Sequence, residues 1–127
     1  MERTATWVAC VRYTRMLSFQ KLDVYRCSID FVGRAVEMGA TLPKGHAELR
    51  DQLRGAAFSV PLNIGEAAGR ASEADAARHF AIARGSAMEC AAVLDVMHAL
   101  AVVDEAQYRE ANDLLARVVA MLTKLCR

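Results

Sequence analysis

Proline is nearly absent from this chain: Pro43 and Pro61 are the only two in 127 residues. Glycine supplies 7 positions and aromatic residues only 6%. So few turn formers rule against the many tight connections of a sandwich or barrel. The 54% apolar content, much of it alanine, favours helices in close contact within one domain. Charge of one sign is missing too, since 16 basic residues face 15 acidic ones. No global field therefore draws the chain to nucleic acid, and any attraction must come from a local patch. No apolar run reaches the ~20 residues that a bilayer span needs. Cys90 to Val103 comes nearest and is interrupted by Asp95 and His98. The four cysteines (Cys10, Cys27, Cys90, Cys126) and the histidines (His46, His79, His98) are scattered without ligand spacing. That pattern predicts idle thiols in a cytoplasmic protein, with no metal and no cofactor.

The first 17 residues place Arg3, Arg12 and Arg15 around a short apolar patch, Ala5 to Val11. The patch ends at arginine instead of at a small-residue cleavage site, unlike a signal peptide. Residues 1–17 are expected to form an N-terminal arm and residues 18–127 a single domain. Met16 directly precedes the patterned region, so residues 1–15 read either as a flexible arm or as a stretch upstream of the native start.

What is present is helical periodicity. A first helix begins near Ser18 to Asp23, and Leu22, Tyr25, Ile29, Val32 and Val36 predict a buried stripe along it. A second stripe beside it, Val24, Cys27, Phe31, Ala35 and Met38, is assigned to subunit contacts, together with parts of the second or fourth helix. Gly39 supplies a stop. The second helix carries the seam Leu49, Leu53, Ala56, Val60, Asn63 and Ala67, whose phase continues across Pro61 and so predicts a kink, not a break. Ser72 with Asp75 reads as the N-cap of a third helix, with the seam Ala76, Phe80, Ala83, Ala87, Cys90, Leu94, Met97 and Ala101. Gly85 inside it costs about 1 kcal/mol relative to alanine, which predicts close approach of another helix there. Asp104 caps a fourth helix with the seam Tyr108, Ala111, Leu115, Val118, Leu122 and Leu125. The fold class is all-α: an up-down-up-down antiparallel four-helix bundle.

A polar set breaks the second helix's apolar pattern. Ser59, Asn63, Glu66 and Arg70 fall at i, i+4, i+7 and i+11, on one face. A hairpin turning near Ala71 brings Arg54 level with Glu89, Ala57 with Ser86 and Glu66 with Arg78, which predicts a ladder of polar contacts. A catalytic reading would pair Glu66 with Glu89 and use His79 as a base, but that register leaves the glutamates many turns apart without a nucleophile. The stronger reading is structural. Asn63 would satisfy the carbonyl freed by Pro61, Glu66 and Glu89 would hold arginines, and the set would lock the register. Ser59, Asn63, Glu66, Arg70, Ser86 and Glu89 are thus taken as a structural polar motif, and no enzyme is expected.

These residues also carry a resemblance. Phe19-x-x-Leu22-x-Val24-Tyr25, then Gln52-Leu53-Arg54-x-x-Ala57-x-Ser59-Val60-Pro61-x-Asn63-Ile64-x-Glu66, Gly69-Arg70, and Ala83-x-Gly85-Ser86-Ala87-x-Glu89 resemble the four-helix-bundle proteins encoded in intervening sequences of bacterial 23S rRNA genes. The likeness spans Ser18 to Leu125. After Asn63-Ile64 this chain reads Gly65-Glu66-Ala67 where that family usually has Ala-Glu-Gly. The resemblance implies a homopentamer around a central channel and no established enzymatic activity. It also brings in the related accessory variability proteins of diversity-generating retroelements, which bind nucleic acid and a reverse transcriptase. The expected function is a non-enzymatic oligomeric scaffold that binds RNA or DNA through a basic surface of the assembled ring. Arg26, Lys44, Arg50 and Arg54 are the candidate phosphate contacts. The alternative is a protein-interaction scaffold for a partner encoded nearby, such as a reverse transcriptase.

Overall fold

The structure, a computed structural model, describes residues 16–127; the expectations for residues 1–15 lie outside the described residues. A short 3-10 turn at Ser18–Lys21 leads into four helices: α1 (Asp23–Ala40), α2 (Ala47–Ala68), α3 (Glu73–Ala99) and α4 (Glu105–Leu125). The starts of α3 and α4 are capped by side chains. The Ser72 hydroxyl accepts from the Asp75 amide at 3.1 Å, and the Asp104 carboxylate accepts from the Gln107 amide at 3.2 Å. Both satisfy N–H groups that have no partner inside the helix. At the end of α3, the Val102 amide reaches the Met97 carbonyl and the Ala101 amide the His98 carbonyl. Ala101 adopts the left-handed φ of 56° that this closure requires.

α1 packs on α2 and α4, and α3 packs on α2 and α4, while the two diagonal pairs have no close backbone approach among the described residues. Short loops with this adjacency give an up-and-down bundle. Its core holds Phe31, Leu53, Ile64, Leu94, Met97, Leu115 and Leu122, all essentially inaccessible. The seams expected for α3 and α4 run through that core, apart from Ala101 and Leu125, which fall exposed at the helix ends. α2 continues unbroken through Pro61, whose ring is buried.

Two expectations are corrected here. In α1 the stripe assigned to subunit contacts is the one that turns inward: Val24, Phe31, Ala35 and Met38 are buried in this chain's own core. The stripe expected to be buried is half-exposed from Tyr25 to Val36, with Leu22 exposed. The outward stripe carries the polar hydroxyl of Tyr25, which stays half-exposed, whereas the inward stripe buries Phe31, an aromatic without a polar atom. Gly85 also differs, because a Cβ built there meets nothing within 4 Å. Among the described residues no other helix comes within 4 Å of that position. The close approach lies instead at Gly39, buried at the end of α1, where an added Cβ would come 2.9 Å from Cγ of Arg50.

Candidate functional site

The polar residues of α2 and α3 meet across the hairpin in a chain of hydrogen bonds. Nη2 of Arg78 lies 3.2 Å from Nε2 of His79. A guanidinium only donates, so Nε2 accepts and the ring proton sits on Nδ1. Nδ1 then donates to Oδ1 of Asn63 at 3.3 Å. Nδ2 of Asn63 donates to the Ser59 carbonyl at 2.9 Å and to the Ser59 hydroxyl at 3.0 Å. The Ser59 hydroxyl, an acceptor from Asn63, also shares a hydrogen bond with the Ser86 hydroxyl at 2.7 Å, in which either oxygen can be the donor. His79 is buried and Asn63 is half-buried, so this chain is costly to leave incomplete and stabilising once every member is paired. The imidazole reaches Ser59 only through Asn63, so it contacts neither hydroxyl.

Ser59, Asn63 and Ser86 are therefore brought together, Glu66 and Arg70 pair separately with each other, and Glu89 joins neither group. Glu66 turns to Arg70 on its own helix at 2.7 Å instead of reaching Arg78, and Arg78 pairs with Asp75 at 3.4 Å. Arg70 also stands 3.8 Å from Asp75, tying the end of α2 to the start of α3. Arg54 makes no ion pair with Glu89; its guanidinium lies over the Phe58 ring at 5.0 Å. Asn63 serves the carbonyl of Ser59, not that of Ala57, which is the one Pro61 frees. The member that sequence reasoning left out of the motif is His79, considered there only as a base in the catalytic reading. Its position four residues before the buried Ala83 put it on the seam, which was the available signal.

The candidate phosphate contacts separate. Lys44 and Arg50 line one small cavity at the α1–α2 corner, and Arg54 follows one turn later on α2. Arg50 is already paired with Asp51 at 3.2 Å. Their half of the bundle also holds Glu48, Glu89, Asp95, Asp104 and Glu105. Arg26 lies in the opposite half, about 20 Å away along α1 by helical rise. There it joins residues that were not singled out. The Arg34–Glu110 pair at 3.1 Å sets the antiparallel register of α1 and α4. That register, together with the proximity of Arg117 to Cys27, brings Lys21 and Arg26 to the same end as Arg117, Lys124 and Arg127. All five are exposed, and none has a carboxylate partner among the described residues. The bundle is electrostatically polar along its axis, with a basic end and an acidic end.

A groove of about 640 Å³ opens on the outer side of α2 and α3, lined by Glu48, Asp51, Gln52, Gly55, Ala56, Ser59, Ser86 and Glu89. Outside its lining, α2 and α3 also expose the apolar side chains Leu62 (67%), Ile82, Met88 and Val96 (47%). Among the described residues no group of His, Cys, Asp and Glu has the arrangement of a metal site, and no helix is long and apolar enough to cross a membrane. Cys90 is sealed in the core, and burial pushes its thiol up to about 12.

Comparison with known proteins places these features. A family profile described as "23S rRNA-intervening sequence protein" matches residues 20–124. A crystal structure from Bacteroides thetaiotaomicron, described as a protein of unknown function from the S23 ribosomal protein family, superposes with a TM-score of 0.76 at 24% identity. The match covers 82% of this chain and 98% of that one, and at this identity it speaks for the fold. No curated protein matches the chain.

Proposed function

Because the chain belongs to the 23S rRNA-intervening sequence protein family, we propose that it is a non-enzymatic, cytoplasmic scaffold that binds RNA or DNA through the basic end of its bundle. The observation that carries this reading is the gathering of Lys21, Arg26, Arg117, Lys124 and Arg127 at one end, exposed and without carboxylate partners among the described residues. Phosphate affinity grows with the number of clustered cations, each releasing counterions from the nucleic acid. Lys44, Arg50 and Arg54, set among carboxylates, contribute less. A homopentamer, which the resemblance implies, would repeat the basic end around a ring and multiply its field.

Gel shifts with a duplex RNA, run from low to physiological salt, test this reading. The expected outcome is binding that falls steeply with salt, with a triple Arg26→Gln, Arg117→Gln, Lys124→Gln variant losing about tenfold or more. Equal loss in a Lys44→Gln, Arg50→Gln, Arg54→Gln variant would move the contact back to the acidic half. No binding at low salt would remove the reading. Light scattering at micromolar concentration tests the assembly, and a monomer there would remove the ring.

A protein-interaction scaffold is the second reading. It is favoured by the exposed side chains Leu62, Ile82, Met88 and Val96, all on α2 and α3.

A further inference from the structure

We propose that the groove between α2 and α3 docks a basic amphipathic helix from a partner protein. The proposal rests on the protein-interaction reading and uses a face separate from the basic end. Three observations converge on it. The first is shape. Gly55, Ala56, Ser59 and Ser86 give the groove a floor of small residues, and a Cβ built at Gly55 meets nothing within 4 Å. This mid-helix glycine packs against nothing among the described residues, yet costs about 1 kcal/mol of helix stability relative to alanine. A backbone laid into the groove would use the space it leaves.

The second is charge. The lining contains Glu48, Asp51 and Glu89 and no lysine or arginine. Asp51 shares its charge with Arg50, while Glu48 and Glu89 have no ion-pair partner among the described residues. A cationic ligand would complete them, and an anionic one such as RNA would be repelled. The third is apolar patterning. The Ser59–Ser86 contact fixes the hairpin register. Leu62 lies three residues past Ser59 and Ile82 four before Ser86, so both stand at one level, exposed. The carboxylates lie toward the other end of the groove, about 15 Å along the axis by helical rise. The occupant that fits is a helix with apolar side chains on Leu62 and Ile82, and lysines or arginines about ten positions away on the same face.

The probe is a fluorescein-labelled, alanine-based helical peptide with leucines in its first turns and arginines about ten positions on. Its control replaces the arginines with glutamates. Fluorescence anisotropy against the full chain should show saturable binding of the basic peptide that weakens as salt rises, and none of the acidic one. Glu89→Lys should weaken binding about tenfold or more through like-charge repulsion. Gly55→Leu, at an exposed position with open space, should block the groove with the helical circular-dichroism signal unchanged. Equal binding of the acidic peptide, indifference to both variants, or no saturation at low salt would overturn the proposal. Displacement of the peptide by duplex RNA would also overturn it, giving the groove to nucleic acid. A triple variant at the basic end that loses RNA yet keeps the peptide would show that the two sites are separate.

Discussion

The α1–α4 pair and the α2–α3 pair are built by different rules. α1 and α4 each bury one stripe and meet water with the rest; their large exposed apolar residues, Leu22 and Leu125, lie only at the ends. Arg34 joins them on the surface, reaching Asp30 at 3.5 Å and Glu110 at 3.1 Å. α2 and α3 share a hydrogen-bonded chain of hydroxyl, amide and imidazole, and they show Leu62, Ile82 and Met88 to solvent within the helices and Val96 in the last turn of α3. One pair leaves almost no large apolar side chain in water. The other leaves several exposed above polar contacts that only one register satisfies.

Removing the centre of each pair's polar contact gives the largest expected difference between them. Asn63→Leu strips the acceptor from His79 and the amide from Ser59, leaving buried groups unpaired, and should cost about 1–3 kcal/mol. Arg34→Met removes a partly exposed pair and should cost under about 1 kcal/mol. Urea melts of both variants check this ordering. Equal losses, or an Asn63→Leu variant as stable as the parent, would mean that the polar chain does not distinguish α2–α3.

How much of this was legible in the sequence follows from what periodicity encodes. A repeat of apolar residues gives helix bounds and, with short loops, the level at which residues of adjacent helices meet. Ser86 was expected beside Ala57 and is found bonded to Ser59, within one helical turn. Level does not give azimuth. Arg54 and Glu89 stand nearly level, yet Arg54 lies along α2 over Phe58. Two adjacent stripes on α1 share one period and could not be ranked by it; the polar hydroxyl of Tyr25 against the wholly apolar Phe31 separates them. The basic end was hidden for another reason, since Arg117 and Lys124 lie some ninety positions after Arg26 and join it only through the antiparallel packing of α1 on α4.

Cysteine chemistry separates the pairs by a smaller, cleaner effect. Cys90 on α3 is fully buried, with its thiol pushed up to about 12, whereas Cys27 on α1 and Cys126 at the end of α4 are half-exposed. The thiolate is the nucleophile, so at pH 8 iodoacetamide should label Cys126 readily and Cys90 only after denaturation. Cys27 should fall between them, because burial raises its thiol, partly offset by Arg117. Mass spectrometry of timed digests reads the order. Early labelling of Cys90 would mean that the α2–α3 half opens more readily than its packing implies.

The smallest effect lies at the corner where the two pairs join. Nε2 of His98 contacts the Glu105 carboxylate at 3.1 Å, and the His98 ring stacks on Tyr108 at 4.1 Å. The Tyr108 hydroxyl in turn donates to Asp95 at 2.7 Å. The hydrogen bond from His98, helped by Arg109, holds the Glu105 carboxyl below its usual value of 4.5. A carboxyl depressed by folding contributes stability above its unfolded pKa and loses it as pH falls through the folded value. The corner should therefore hold at neutral pH and loosen below about 4.5. Glu105 is exposed, so solvent screening keeps the effect local. Hydrogen exchange across residues 100–105, compared at neutral and acidic pH and corrected for intrinsic rates, should show protection lost on acidification. Glu105→Gln should show the lower protection at both. A corner equally protected at acidic pH would mean that the Ala101 turn and the α3–α4 core join the pairs without help from charge.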